Sequence, residues 1–143
     1  STFIILKALE KNDKGKLFSV DLPAIVGSED FSKDRTSAVI PPEKRPGWIV
    51  QEELKDRWEL TIGNTFYETP KTLEKVGTID IFLHDSDHSY QGMMFEFSLA
   101  WEHLKDNGLL LADNIDFSNA FEDFKPVDNI KKYRLGKMGL IRR

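Results

Sequence analysis

The stretch Ile79-Asp80-Ile81-Phe82-Leu83-His84-Asp85-Ser86-Asp87-His88-Ser89-Tyr90 decides how the chain reads. Residues 79–83 are β-branched, aromatic or aliphatic, with one charge, and predict a strand. That strand runs directly into Asp-x-Asp-His, a dense set of carboxylate and imidazole groups. Ligands of open α/β sheets bind just past the carboxyl ends of the strands. A second run, Leu109-Leu110-Leu111-Ala112-Asp113-Asn114, has the same shape: an apolar strand that ends in acid and amide. If the two strands are parallel neighbours, Asp85, Asp113 and Asn114 meet at one edge of a sheet. Hard oxygen donors of that kind suit Mg²⁺ or another divalent cation such as Ca²⁺. The competing reading is that both acids cap the helices that follow. Asp87 is an alternative to Asp85 as ligand, or an assistant to it.

Outward from this centre, the chain alternates helix and strand. Residues 2–12 predict a helix with Ile4, Ile5, Ala8 and Leu9 on its apolar side, capped by Ser1 or Thr2. The turn at residues 14–16 leads to a strand over 17–20 that ends at Asp21. An acid in that place suits the ribose hydroxyls of a nucleoside, or is an exposed turn aspartate. Residues 23–47 hold four of the six prolines and no apolar period, which predicts a long loop, a lid or binding segment. Lys44 and Arg45 within it are a solvated pair or a contact for an acidic substrate.

A short helix over 51–57 and a strand over 58–62 follow, ended by Gly63 and Asn64. Thr69-Pro70 marks a helix start, and Gly77 its end. Residues 93–104 form an amphipathic helix, with Met93, Phe97, Ala100, Trp101 and Leu104 on one stripe. Residues 116–124 predict another, with Phe117, Phe121 and Phe124 in the core. Residues 133–142 read as an antiparallel hairpin. Alternation of this kind implies a mostly parallel sheet with helices on both faces.

The 143 residues predict one domain. A net charge of −4 argues against binding nucleic acid by phosphate neutralisation. No long uncharged apolar run is present, so no membrane span is expected. The absence of cysteine removes thiolate chemistry and disulfides, and fits a reducing cytoplasm, the expected location.

Two groups of residues carry a resemblance. Gly47-Trp48, Leu54, Trp58 and Gly63 match a "GW…L…W…G" segment, and 84–90 match "HDS-x-H-x-Y". In these the chain resembles the class I S-adenosylmethionine-dependent methyltransferases, over nearly its whole length. Asp85-x-x-His88 with Asp113-Asn114 is also similar to the metal-dependent O-methyltransferases of the catechol and caffeoyl-CoA type. The resemblance implies a Rossmann-like three-layer α/β/α sandwich with strand order 3-2-1-4-5-7-6 and strand 7 antiparallel. It implies S-adenosylmethionine as cofactor, with Mg²⁺ or another divalent cation held by Asp85, Asp113 and Asn114. Asp85 is also expected to contact the cofactor.

Asn64 stands where the family often places an adenine-contacting acid. Ser1 and Thr2 stand where the family's Gly-rich cofactor turn finishes. The first strand and that turn are missing ahead of them, so the sequence is expected to be an N-terminally truncated piece of a longer domain. His88 replaces the lysine base of the metal-dependent relatives. Its ordinary pKa suits removal of a hydroxyl proton near neutrality, although a helix-capping role fits it equally. His84 is expected to be structural. Trp48 and Tyr90 are candidates to line a substrate pocket, whereas Trp101 is expected in the core.

The expected activity is methyl transfer to a hydroxyl of a small molecule. Oligomer formation is compatible with the sequence. A nucleoside-binding module without catalysis and a metal-dependent hydrolase or hydroxylase-like enzyme remain as alternatives.

Overall fold

The computed structural model describes residues 1–25, 39–41 and 43–143. The chain divides into two compact units, Ser1–Glu68 and Thr69–Arg143. The helix that runs from one into the other is α2, Thr65–Val76.

The first unit begins with α1, Thr2–Lys11. Its buried residue is Leu6, which packs with Val50 and Leu54 and is flanked by Leu9, Leu17 and Trp58. The expected stripe therefore needs correcting: Ile4 is 73% exposed, and Ala8 is exposed too. Residues 4, 5, 8 and 9 satisfy helical spacing, but the neighbouring side of the helix meets Val50 and Leu54. The turn after α1 places Asp13 and Gly15 at positive φ and is held by Arg57, which donates to the Asp13 carboxylate and the Gly15 carbonyl.

Strand β1, Leu17–Asp21, then pairs in parallel with β4, Trp58–Ile62, in the register Leu17↔Trp58 to Asp21↔Ile62. Between them lie β2, Ala24–Ile25, and β3, Val39–Ile40, which form a short parallel pair. That pair corrects the expectation of loop throughout 23–47; residues 26–38 and 42 of that segment lie outside the described residues. The helical turn before β4, Glu52–Arg57, is 3-10 rather than α.

The glycine–tryptophan motif has a packing reason. Gly47 has a φ of +80°, and a Cβ there would lie 2.5 Å from the Trp58 ring. Only glycine allows the backbone this close approach in that conformation. Trp58 in turn donates its indole N–H to Ser19 Oγ at 3.1 Å, joining β4 to β1.

α2 starts at Thr65, ahead of the predicted Thr69-Pro70 boundary. Asn64 makes that start: its side-chain oxygen accepts the Phe66 N–H at 2.9 Å, and its carbonyl accepts from Tyr67 and Glu68. An amide at the N-cap satisfies donors that a helix leaves unpaired. Pro70 consequently lies inside the helix. The end of the helix is as expected, with Gly77 at positive φ and its N–H on the Leu73 carbonyl.

The second unit is built on a four-stranded sheet of order β5-β6-β8-β7. β5, Ile79–His84, runs parallel to β6, Leu104–Ala112. β8, Met138–Arg142, is antiparallel to both β6 and β7, Lys132–Leu135. This is the expected terminal hairpin, and the order matches the 4-5-7-6 half of the expected sheet.

Helix α3, Tyr90–His103, begins earlier than its apolar stripe. Ser89 caps it by accepting the Gly92 N–H at 3.0 Å. Its far end passes straight into β6 without a linker. There Arg143 donates to the Trp101, Glu102 and Leu104 carbonyls, and its guanidinium lies over the Trp101 ring. A cation satisfies the carbonyls that the helix leaves open.

α3 supplies Met93, Phe97 and Ala100 to one core, together with Leu110, Ala112, Ile115, Phe121, Phe124 and Ile141. Trp101 packs against that core, as expected. The helix predicted over 116–124 is only α4, Ala120–Asp123. Asn114, at positive φ, starts a turn that accepts the Phe117 N–H. Phe117 therefore leaves the core and is 52% exposed.

Candidate functional site

The register of the two strands in the second unit sets the geometry. His84 lies opposite Ala112, so Asp85 and Asp113 are the next residues out at the carboxyl ends of adjacent parallel strands. The Asp113 N–H donates to the His84 carbonyl at 3.0 Å, fastening the two ends together. Asp113 Oδ1 accepts the Asn114 N–H at 2.8 Å, which orients the carboxylate within its own turn. Asp85, Asp113 and Asn114 are thus brought to one rim. Partial burial pushes the Asp85 carboxyl above its ordinary pKa, and the negative charge of Asp113 adds to the rise. His88 and His84 oppose it. A second negative charge that disfavours ionisation of Asp85 would favour a cation at the same place.

The Asp-x-Asp-His run separates into distinct jobs. Asp87 is held by its own turn: Oδ1 accepts the Ser89 N–H at 3.0 Å, and Oδ2 accepts the Ser89 hydroxyl at 2.9 Å. Gly92 lets this turn sit on the helix, because a Cβ there would lie 2.7 Å from the Asp87 carbonyl and carboxylate. Asp85 has no comparable turn bond among those the structure records, and so is the better placed of the two to meet a ligand.

His88 is 5% exposed, with its ring 5.4 Å from the rings of both His84 and Phe117. His84 is fully buried against Phe97, as a structural residue should be. Its Nδ1–H donates to Glu96 Oε2 at 2.7 Å, and Ser86 donates to Glu96 Oε1 at 2.6 Å. Glu96 is a carboxylate only 3% exposed, inside the core-facing stripe of α3. Sequence reasoning missed it. The signal was present, since Glu96 follows Met93 by three and precedes Ala100 by four, where an apolar residue is due.

The first unit has its own rim. Asp21 ends β1, and its carbonyl accepts the Gly63 N–H at 3.0 Å, so Asp21 and Asn64 share the carboxyl edge of the β1–β4 pair. Although Asp21 is exposed as a residue, crowding of its carboxyl raises the pKa, against the lowering effect of the Leu22 N–H. The Asn64 side chain caps α2. Ser1 accepts the Ile4 and Ile5 N–H groups through its carbonyl, while its side chain makes no capping bond. Thr2 is the first residue of α1. Trp48 is exposed, with the Lys44 ammonium 5.0 Å from its ring centre, and Tyr90 is exposed at the start of α3.

Among the described residues no three His, Asp or Glu side chains converge as a metal cage. A cation on the second rim would therefore have two carboxylates and the Asn114 amide from protein, the sparse oxygen set that Mg²⁺ accepts. Among the described residues no helix is long and apolar enough to cross a membrane.

Comparison with known proteins bears on the fold and the family. The O-methyltransferase from Bacillus cereus, solved in complex with SAH, superposes with a TM-score of 0.50 at 15% identity, over 64% of this chain and 53% of that one. MycE methyltransferase from the mycinamycin biosynthetic pathway, in complex with Mg and SAH, superposes with a TM-score of 0.55 at 11% identity, over 89% and 37%. The chain thus spans about half or less of the length of either structure. At these identities the likeness is one of fold, a mixed α/β arrangement of the Rossmann-like methyltransferase kind. No curated protein matches the sequence significantly. The Methyltransf_24 model, described as a methyltransferase domain, matches residues 1–115, and the chain belongs to that family of class I methyltransferase domains.

Proposed function

We propose that the protein transfers the methyl group of S-adenosylmethionine to a hydroxyl of a small molecule, assisted by a divalent cation. The observation that supports this most is the pairing of two acid-ended parallel strands, which sets Asp85 and Asp113 side by side at their carboxyl ends. Membership of a methyltransferase family supports the reaction class. SAH in both solved neighbours supports the donor, and Mg in one of them supports the cation.

In this reading Asp21 accepts hydrogen bonds from the ribose hydroxyls, and its position at the carboxyl end of a strand suits that task. Asn64 borders the adenine through its outer face. Ser1 and Thr2 flank the methionine portion. Asp85, Asp113 and Asn114 hold the cation, and Asp85 also contacts the cofactor. Bound S-adenosylmethionine supplies an electrophilic methyl group, and a bound cation stabilises charge developing on the acceptor oxygen. The reaction forms a C–O bond and breaks a C–S bond, the sulfur leaving as a neutral thioether. The hydroxyl proton passes to His88. That transfer requires Phe117, which is half exposed, to yield as the acceptor enters. Orientation of donor and acceptor is the main contribution of the protein.

The test is Asp113→Ala in the complete protein, assayed for methyl transfer to a panel of small hydroxylated acceptors with and without chelator. Loss of transfer, together with loss of chelator sensitivity in any residual activity, is expected. Unchanged transfer with unchanged metal dependence would remove the cation from the reading.

A further inference from the structure

We infer that Glu96 is a positioning residue for Asp85, acting as a buried staple on the two residues that flank it. The inference rests on the functional reading above, because it takes Asp85 as a ligand-binding group.

His84 is the last residue of β5, and Ser86 lies in the bend that follows it. His84 and Ser86 both turn to α3, where a single carboxylate receives them. The His84 Nδ1–H takes Oε2 at 2.7 Å, and the Ser86 hydroxyl takes Oε1 at 2.6 Å. Asp85, between them, is exposed and stands at the rim, one residue past the His84–Ala112 pair.

A carboxylate this deeply buried is costly to desolvate and is found where hydrogen bonds compensate it. Glu96 gains that compensation from the segment it restrains. The same contact fixes the tautomer of His84, because a carboxylate can only accept and Nδ1 must donate. Phe97, the next residue on α3, closes edge-to-face on the His84 ring at 5.4 Å. Two bonds and one ring contact therefore hold the backbone on either side of Asp85. The Asp113 N–H on the His84 carbonyl ties the same point to the neighbouring acid. Nothing in the family motif at 84–90 names Glu96; it enters from another element, and its effect on ligand passes through the placement of Asp85.

The experiment is calorimetric titration of S-adenosylmethionine, in the presence of Mg²⁺, into the complete protein and into Glu96→Gln, Glu96→Leu, Ser86→Ala and Asp85→Asn. The double variant Asp85→Asn/Glu96→Leu completes the cycle. Each variant is measured below its own unfolding temperature. Gln keeps the shape, accepts from His84 and donates to Ser86, so Glu96→Gln should bind close to wild type. Glu96→Leu should weaken binding about tenfold or more, as loss of a supporting partner commonly does.

Ser86→Ala removes one arm with little threat to folding, and should fall between these two. In the double variant the effects should not add, since a mispositioned group that is already absent cannot be lost again. Additive losses, or wild-type binding by both Glu96→Leu and Ser86→Ala, would overturn the inference while leaving the functional reading intact. No binding by the wild-type protein, or none lost in Asp85→Asn, would overturn the functional reading and this inference with it.

Discussion

The two rims obey the same local grammar, a short apolar strand that ends in an acid, yet they are supported very differently. Behind Asp85 and Asp113 lie a continuous aromatic and aliphatic core, a backbone tie between the strand ends, and a buried His84–Glu96–Ser86 network. Behind Asp21 the described residues bury a smaller set, Leu6, Val50 and Leu54, with Trp58 bridging to Ser19. On the proposed reading, a strand-end acid is only the visible half of a site. What makes it precise is the set of groups behind the strand, and that set is contributed from elsewhere in the chain.

The largest expected contrast is in core truncation. Phe97→Ala should cost about 3–5 kcal/mol, because the ring touches His84, Phe121 and Phe124 and little can collapse into the space. Leu54→Ala in the smaller cluster should cost less, about 2–3 kcal/mol. Denaturant unfolding of both variants checks the pair. Equal losses would mean that the two rims are backed equally well.

Helix caps give the next contrast. Ser89→Ala frees the Gly92 N–H and loosens the Asp87 turn, and Asn64→Ala frees the Phe66 N–H. Each should lose about 1 kcal/mol. Hydrogen exchange should place the first loss at the start of α3 and the second at the start of α2.

The smallest effect carries a sign that separates function from stability. The Asp85 carboxyl has a pKa raised in the folded protein, so between its unfolded and folded values the native state binds the extra proton. Stability therefore falls as pH rises through that window, and the ionised group is a net cost at neutral pH. Asp85→Asn should raise stability at pH 7 by less than about 1 kcal/mol, since solvent screens a partly exposed pair. The gain should vanish below the unfolded carboxylate range. Thermal unfolding at neutral and at acid pH reads both ends. A loss of stability at pH 7 would contradict a carboxyl held above its ordinary pKa by burial and the nearby Asp113 charge.

Much of this was legible in the sequence because it is local. The strands at 17–20, 58–62 and 79–83, the hairpin and the acids past the strand ends follow from short patterns, and the structure has them. The errors came where two local signals competed, or where contacts are distant. Thr69-Pro70 is a good helix start, but Asn64 caps first, and the helix accommodates the proline. Phe117, Phe121 and Phe124 fit helical spacing, yet the turn from Asn114 delays the helix until Ala120 and sends Phe117 outward. Glu96 stands where the stripe of α3 calls for an apolar residue, but its partners lie 10 and 12 residues upstream, outside any local pattern.

The central claim is that the rim of Asp85 and Asp113 serves a methyl donor and a cation. Titration of S-adenosylmethionine into the complete protein, with Mg²⁺ and with chelator, tests it most directly when repeated on Asp85→Ala. The account predicts binding by the wild type and a loss of about tenfold or more in the variant, with the variant insensitive to Mg²⁺. Equal affinity in wild type and variant under both conditions would contradict it.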